Sequence, residues 1–139
     1  MTSNPIKVLL ITPTERDVRR LQGVVSVPGA NHVELTHVLD VGAAVRRLAD
    51  VRFDAILLDL AVMHTHPLEP LWRMHEHAPD VPIIVLTSMV DETLAVRALK
   101  AGAQDSLVKG QIDGNLLVRA IRYAIERHQL QMALHAMSL

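Results

Sequence analysis

Residues 53–60 read FDAILLDL. Ala55 to Leu58 form an unbroken apolar run that ends in one acid, Asp59. A run this short, with no polar alternation, predicts a strand buried on both faces that delivers its acid to an edge. KVLLI (7–11), HVELTHVL (32–39), PIIVLT (82–87) and DSLVK (105–109) are read as the other strands. Helical spacing fills the gaps between them. Thr14, with Asp17 three residues on, predicts a helix over 14–25 carrying Val18, Leu21 and Val25, broken by Pro28 and Gly29. Asp40 is placed to cap a helix with Val41, Ala44, Val45 and Leu48 on one face. Pro67 is expected to open a helix carrying Leu68, Leu71 and Trp72. Asp91 is expected to cap ETLAVRALKA, which Gly102 ends. The last helix begins near Asp113 and runs toward the end of the chain.

Five strands, expected to be apolar throughout, alternate with five helices. This pattern predicts an α/β fold, a doubly wound parallel sheet with helices on both faces. In such sheets the ligand site lies outside the carboxyl ends of the strands, where strand order reverses. The residues at those exits are Thr12 and Pro13, Asp59, Thr87 and Ser88, and Lys109. Asp59, Thr87 and Lys109 form a coherent set: a carboxylate nucleophile toward phosphorus, a hydroxyl donor and an ammonium to offset phosphoryl charge. An ordinary ion pair between Asp59 and Lys109 at the strand ends is the plainer reading of the same residues.

Composition narrows the class. The chain has 139 residues, enough for one domain, no cysteine, and a formal net charge of −1. Disulfides, thiolate metal sites and cysteine catalysis are excluded, and a cytoplasmic location is expected. No apolar run approaches the ~18 residues that span a bilayer, and the start of the chain lacks a secretory signal pattern. Phe53, Trp72 and Tyr123 are the only aromatics, too few to stack bases or a flavin.

FDAILLDL, DVPIIVLT and GAQDSLVKG followed by a helix resemble the receiver domain of two-component response regulators, from Lys7 to about His128. The resemblance implies a CheY-like sheet of order 2-1-3-4-5 and a signalling domain rather than an enzyme. It makes Asp59 the position that accepts a phosphoryl group from a histidine kinase, with Thr87 and Lys109 contacting the phosphate. It also exposes departures. The acidic pair that holds Mg²⁺ in receivers is replaced by Thr12 and Pro13. Proline offers no side-chain oxygen and threonine no charge, while Mg²⁺ demands hard oxygen ligands. Glu15 and Asp17 lie on the first helix, with Asp17 assigned to its cap. The loop after Asp59 carries Met63 and Pro67 in place of the usual Pro and Gly, and the aromatic switch position is Ser106. A pseudo-receiver with weak or absent phosphorylation, no cofactor and action through protein contacts is therefore expected. The runner-up is a conventional phosphoaccepting receiver using Asp59 with Mg²⁺. A flavodoxin-like phosphate or FMN binder, using Thr12-Pro13-Thr14 at a helix start, is the remote alternative.

Three further patterns receive plain readings. His64 and His66 sit on a loop near Asp59, and His75 and His77, two residues apart on a helix, do not share a face for metal binding. Arg119, Arg122, Arg127 and the pairs Arg19–Arg20 and Arg46–Arg47 read as solvated faces, with no second helix to present a DNA-reading one. Leu130, Leu134 and Met137 repeat in register with Leu116, Ala120 and Tyr123, the start of a coiled-coil seam. Residues 1–128 are thus expected to form the domain and 129–139 a helical extension leading to an output module. A homodimer through the last two helices and strand five, or through the C-terminal helix, is the expected assembly.

Overall fold

The structure, a computed structural model, describes residues 5–26, 33–62, 65–88 and 91–138. The chain order is β1 (Ile6–Ile11), α1 (Glu15–Val25), β2 (Val33–Val38), α2 (Val41–Asp50), β3 (Ala55–Asp59), α3 (Glu69–His77), β4 (Ile83–Thr87), α4 (Glu92–Lys100), β5 (Asp105–Val108) and α5 (Gly114–Met137). All five strands run parallel in the order β2-β1-β3-β4-β5. The predicted α/β class and strand order are those observed.

Two cores divide the sheet by residue parity, because successive strand side chains point to opposite faces. Leu9, Ile11, Ile56, Leu58, Ile83 and Val85 pack against α2, α3 and α4 through Val41, Ala44, Leu71, Met74 and Ala98. Val8, Leu10, Leu57, Ile84 and Leu86 pack against α1 and α5 through Leu21, Leu117, Ile121 and Ala124. This double cover explains why the central strands lack polar alternation. The expectation of apolar strands throughout fails at the sheet edges. In β2 only Val38 is buried and in β5 only Leu107, because each has a neighbour on one side alone.

Capping is mostly as predicted, with two corrections. Thr14, Asp40 and Asp113 accept hydrogen bonds from Asp17, Ala43 and Leu116 amides at the starts of α1, α2 and α5. Asp91 occupies the N-cap position of α4 but makes no cap bond; its carboxylate accepts the Ser88 hydroxyl at 3.0 Å instead. Helix α3 starts two residues after Pro67, with Pro70 in its first turn, because the His66 ring accepts the Leu68 amide and holds the chain in a turn until there. Trp72 is exposed and stacks on His66 at 4.8 Å rather than joining the core. The expected break at Pro28 and Gly29, and the readings of Met63 and His64, lie outside the described residues. Among the described residues, no helix is long and apolar enough to cross a membrane.

Gly102 ends α4 with φ 112°, a conformation that L side chains rarely adopt. A Cβ there would sit 2.7 Å from His75 Nε2. Gly102→Ala is predicted to destabilise the domain by about 1–3 kcal/mol in urea unfolding, with its m-value unchanged.

Candidate functional site

Register alone brings the candidate residues together. Ile11 pairs with Leu58, so Thr12 and Asp59 are the next residues along adjacent strands. Asp59 pairs with Leu86, and Thr87 with Val108, so Thr87 and Lys109 lie one step further along. Pro13 is exposed at the start of the β1–α1 turn.

Asp59 is 1% exposed, and both of its oxygens are engaged. Oδ2 accepts the Thr12 hydroxyl at 2.8 Å and Lys109 Nζ at 3.0 Å. Oδ1 accepts the Ala61 amide at 2.9 Å and Lys109 Nζ at 3.2 Å. A buried carboxylate must be paired and hydrogen-bonded to remain tolerable, and this one is. Thr12 is itself buried, and its carbonyl oxygen bonds the His37 ring at 2.9 Å. His37 thereby ties the turn after β1 to β2.

Asp17 keeps its expected place in the cap of α1 and takes on a second contact. Its carboxylate accepts the Thr14 hydroxyl at 2.7 Å and also lies 3.6 Å from Lys109 Nζ. The first turn of α1 points it back over the strand exits, so Lys109 stands between two acids. Arg20, expected to be solvated, donates to the Lys109 carbonyl at 3.3 Å. These second contacts depend on how α1 lies across the sheet, which spacing along the chain does not reveal. Asp91 is the other residue that sequence reasoning misplaced. It lines a cleft of about 70 Å³ with Asp59, Ala61, Thr87, Ser88 and Lys109. Thr87 is buried beside Asp59, and Ser106 is half-buried on β5, with no ring to move toward it.

A family model of the response regulator receiver domain matches residues 7–122. The chain belongs to this family. The receiver domain is 30% identical over 105 residues to the regulatory protein AtoC of Escherichia coli, covering 75% of this chain and 22% of that protein. It is 33% identical over 124 residues to the response regulator MprA of Mycobacterium ulcerans, covering 88% of this chain and 52% of that protein. The chain therefore spans about half, or less, of the length of these relatives. A response regulator receiver domain protein from Clostridium thermocellum superposes with a TM-score of 0.75 at 22% identity, covering 90% of this chain and 98% of that one. The fold is thus that of receivers.

The receiver domain's donor set fits Mg²⁺ poorly. Thr12 presents a hydroxyl that is already donating to Asp59, and Pro13 presents nothing. The Lys109 ammonium holds the space between Asp17 and Asp59. Among the described residues, no group of three or more His, Asp or Glu is placed to hold a metal ion, the histidines of 66, 75 and 77 included. The loop hydroxyls proposed for a flavin phosphate are likewise taken, Thr12 by Asp59 and Thr14 by Asp17.

Removing one partner of a buried pair leaves an uncompensated charge. Lys109→Met is therefore predicted to cost about 3 kcal/mol in chemical denaturation. Asp59→Asn in the Lys109→Met background should recover much of that loss, giving a double-mutant coupling well above 1 kcal/mol, the upper range for exposed pairs.

Proposed function

We propose that this receiver domain accepts phosphate at Asp59 weakly or not at all, and that it signals through protein contacts with no catalytic activity of its own. The observation that carries the reading is the saturated Asp59 carboxylate, with the Thr12 hydroxyl where receivers have a cation-binding acid. Phosphoryl transfer depends almost wholly on positioning and charge neutralisation. Adding about −2 of charge at Asp59 would leave Lys109 as its one close cationic partner among the described residues, with Asp17 and Asp91 near the cleft. Losing a charge clamp of this kind costs on the order of 10²–10³ in rate. Ser106 removes the ring that would report occupancy at Thr87, so the output side is weakened too.

The runner-up, a conventional phosphoacceptor, draws support from the cleft itself, which places Thr87 and Lys109 around Asp59. Incubation with Mg²⁺ and a small acyl phosphate donor, read by intact mass and by Trp72 fluorescence, separates the two. Little or no gain of a phosphoryl group is expected. Stoichiometric gain that is abolished by Asp59→Asn would establish the runner-up instead.

The contact surface of this reading is the second half of α5. The helix is 24 residues, about 36 Å, and outlasts strands of about 15–20 Å. Its first half packs on the sheet through Leu117, Ile121 and Ala124, and Ala120 is buried with them, so the seam expected through Ala120 begins only at Tyr123. Beyond that point Leu130, Leu134 and Met137 are 64%, 65% and 82% exposed. Their spacing of four and three suits a partner helix, and a second copy is the partner proposed, with residues 129–139 leading on toward an output module. A histidine kinase remains the upstream partner only under the runner-up. Light scattering should show a concentration-dependent dimer that Leu130→Lys with Leu134→Lys abolishes. A monomer at every concentration, in the wild type, would reject this surface.

A further inference from the structure

At the edge of the sheet where the strands begin, away from Asp59, the end of α3 and the base of the α5 overhang both reach the turn before β5. His75 on α3 and His128 on α5 each have an Nε2 atom shielded from solvent and without a hydrogen-bond partner among the described residues. Around them the contacts are polar. Arg127 donates to the Gln104 carbonyl at 3.0 Å and to its Oε1 at 3.4 Å, and Gln104 donates to Gln131 Oε1 at 2.7 Å. Residues 127, 128 and 131 lie within one third of the circumference of α5, so His128 is beside the side chains that bond Gln104. Gly102 completes the enclosure, since any side chain at that position would collide with the His75 ring.

We infer that His75, set against His128, forms a proton-sensitive clasp, which holds the base of the α5 overhang on the domain while the His75 ring is neutral and releases it when that ring charges. The physical reason is burial without enough compensation. A protonated His75 ring would carry its charge where Nε2 is shielded from water and has no hydrogen-bond partner among the described residues, beside the His128 ring, and the Gly102 carbonyl offsets only part of that cost. The charged groups near the pair are mostly basic. His128 acts on His75 from α5, where Arg127 is bonded to Gln104; Arg97 and Lys100, in the last turn of α4, are basic and exposed; Arg73, Glu76 and His77 flank His75 on α3; the Gly102–Gln104 turn has no ionisable side chain. Among the described residues, no carboxylate is ion-paired with either ring.

Burial holds His75 below the usual histidine value of 6.5, and His128 pushes in the same direction, against a smaller opposing effect of the Gly102 carbonyl. The sign follows. A group whose value is lowered in the clasped state stabilises that state above 6.5, and the stabilisation is lost as pH falls below it. Acidification therefore frees the helix that carries Leu130, Leu134 and Met137, whether or not Asp59 ever receives phosphate.

The test is an NMR titration of the full chain from pH 8 to 5, following the two rings and the amide exchange of residues 127–137. His75 should titrate below 6.5. Its midpoint should rise in His128→Gln. After correction for intrinsic chemistry, exchange in 127–137 should speed up severalfold between pH 7.5 and 5.5. In the His75→Gln, His128→Gln double variant, that acceleration should fall below about twofold. A wild-type His75 midpoint at or above 6.5 would overturn the clasp without any variant. So would acceleration of equal size in the double variant.

Discussion

The bond network on Asp59 is the constraint around which the receiver is arranged. A carboxylate with 1% exposure has to find its partners inside the protein, and it finds them on three separate pieces of chain. Thr12 comes from the end of β1, the Ala61 amide from the loop after β3, and Lys109 from the exit of β5. Lys109 is then steadied by Asp17, and its carbonyl by Arg20, so α1 is drawn into the same assembly. One side chain thus pins the carboxyl ends of the sheet together. Each carboxylate oxygen accepts two donor contacts, with Lys109 shared between them.

Much of this was legible in the sequence, for definite physical reasons. Central strands buried on both faces leave a continuous apolar signature, which placed β1, β3 and β4 within a residue or two. Thr14, Asp40 and Asp113 announced their helices because capping is local chemistry. The strand exits followed from chain order, so Thr12, Asp59, Thr87 and Lys109 could be grouped before any distance was known. The errors came where the geometry depends on which partner a side chain chooses. Pro67 and Pro70 are both compatible with a helix start, and it is the His66 ring bonded to the Leu68 amide that decides between them. Asp91 had the right position for a cap, but Ser88 offered its carboxylate a nearer partner.

The same limit applies to side chains read as solvated. Arg127 and Arg20 lie on helix faces that a wheel assigns to water, yet each reaches a backbone carbonyl of another element. Long basic side chains carry flexible stems, so their destinations are set by tertiary placement and not by periodicity. His75 and His128 stand 53 positions apart in the chain and meet only because α3 and α5 both descend past the start of β5. Thr12 was noticed for the charge it lacks; its positive role as a donor to Asp59 needed the register between β1 and β3.

The Thr12–Asp59 contact also sets what this corner can tolerate. Replacing the threonine with an acid would set two anions about 2.8 Å apart, with the lysine already shared between Asp17 and Asp59. One ammonium would then have to serve three carboxylates, and burying Asp59 would cost more. A neutral hydroxyl donates where a second acid would repel, so a single lysine suffices to balance the whole corner.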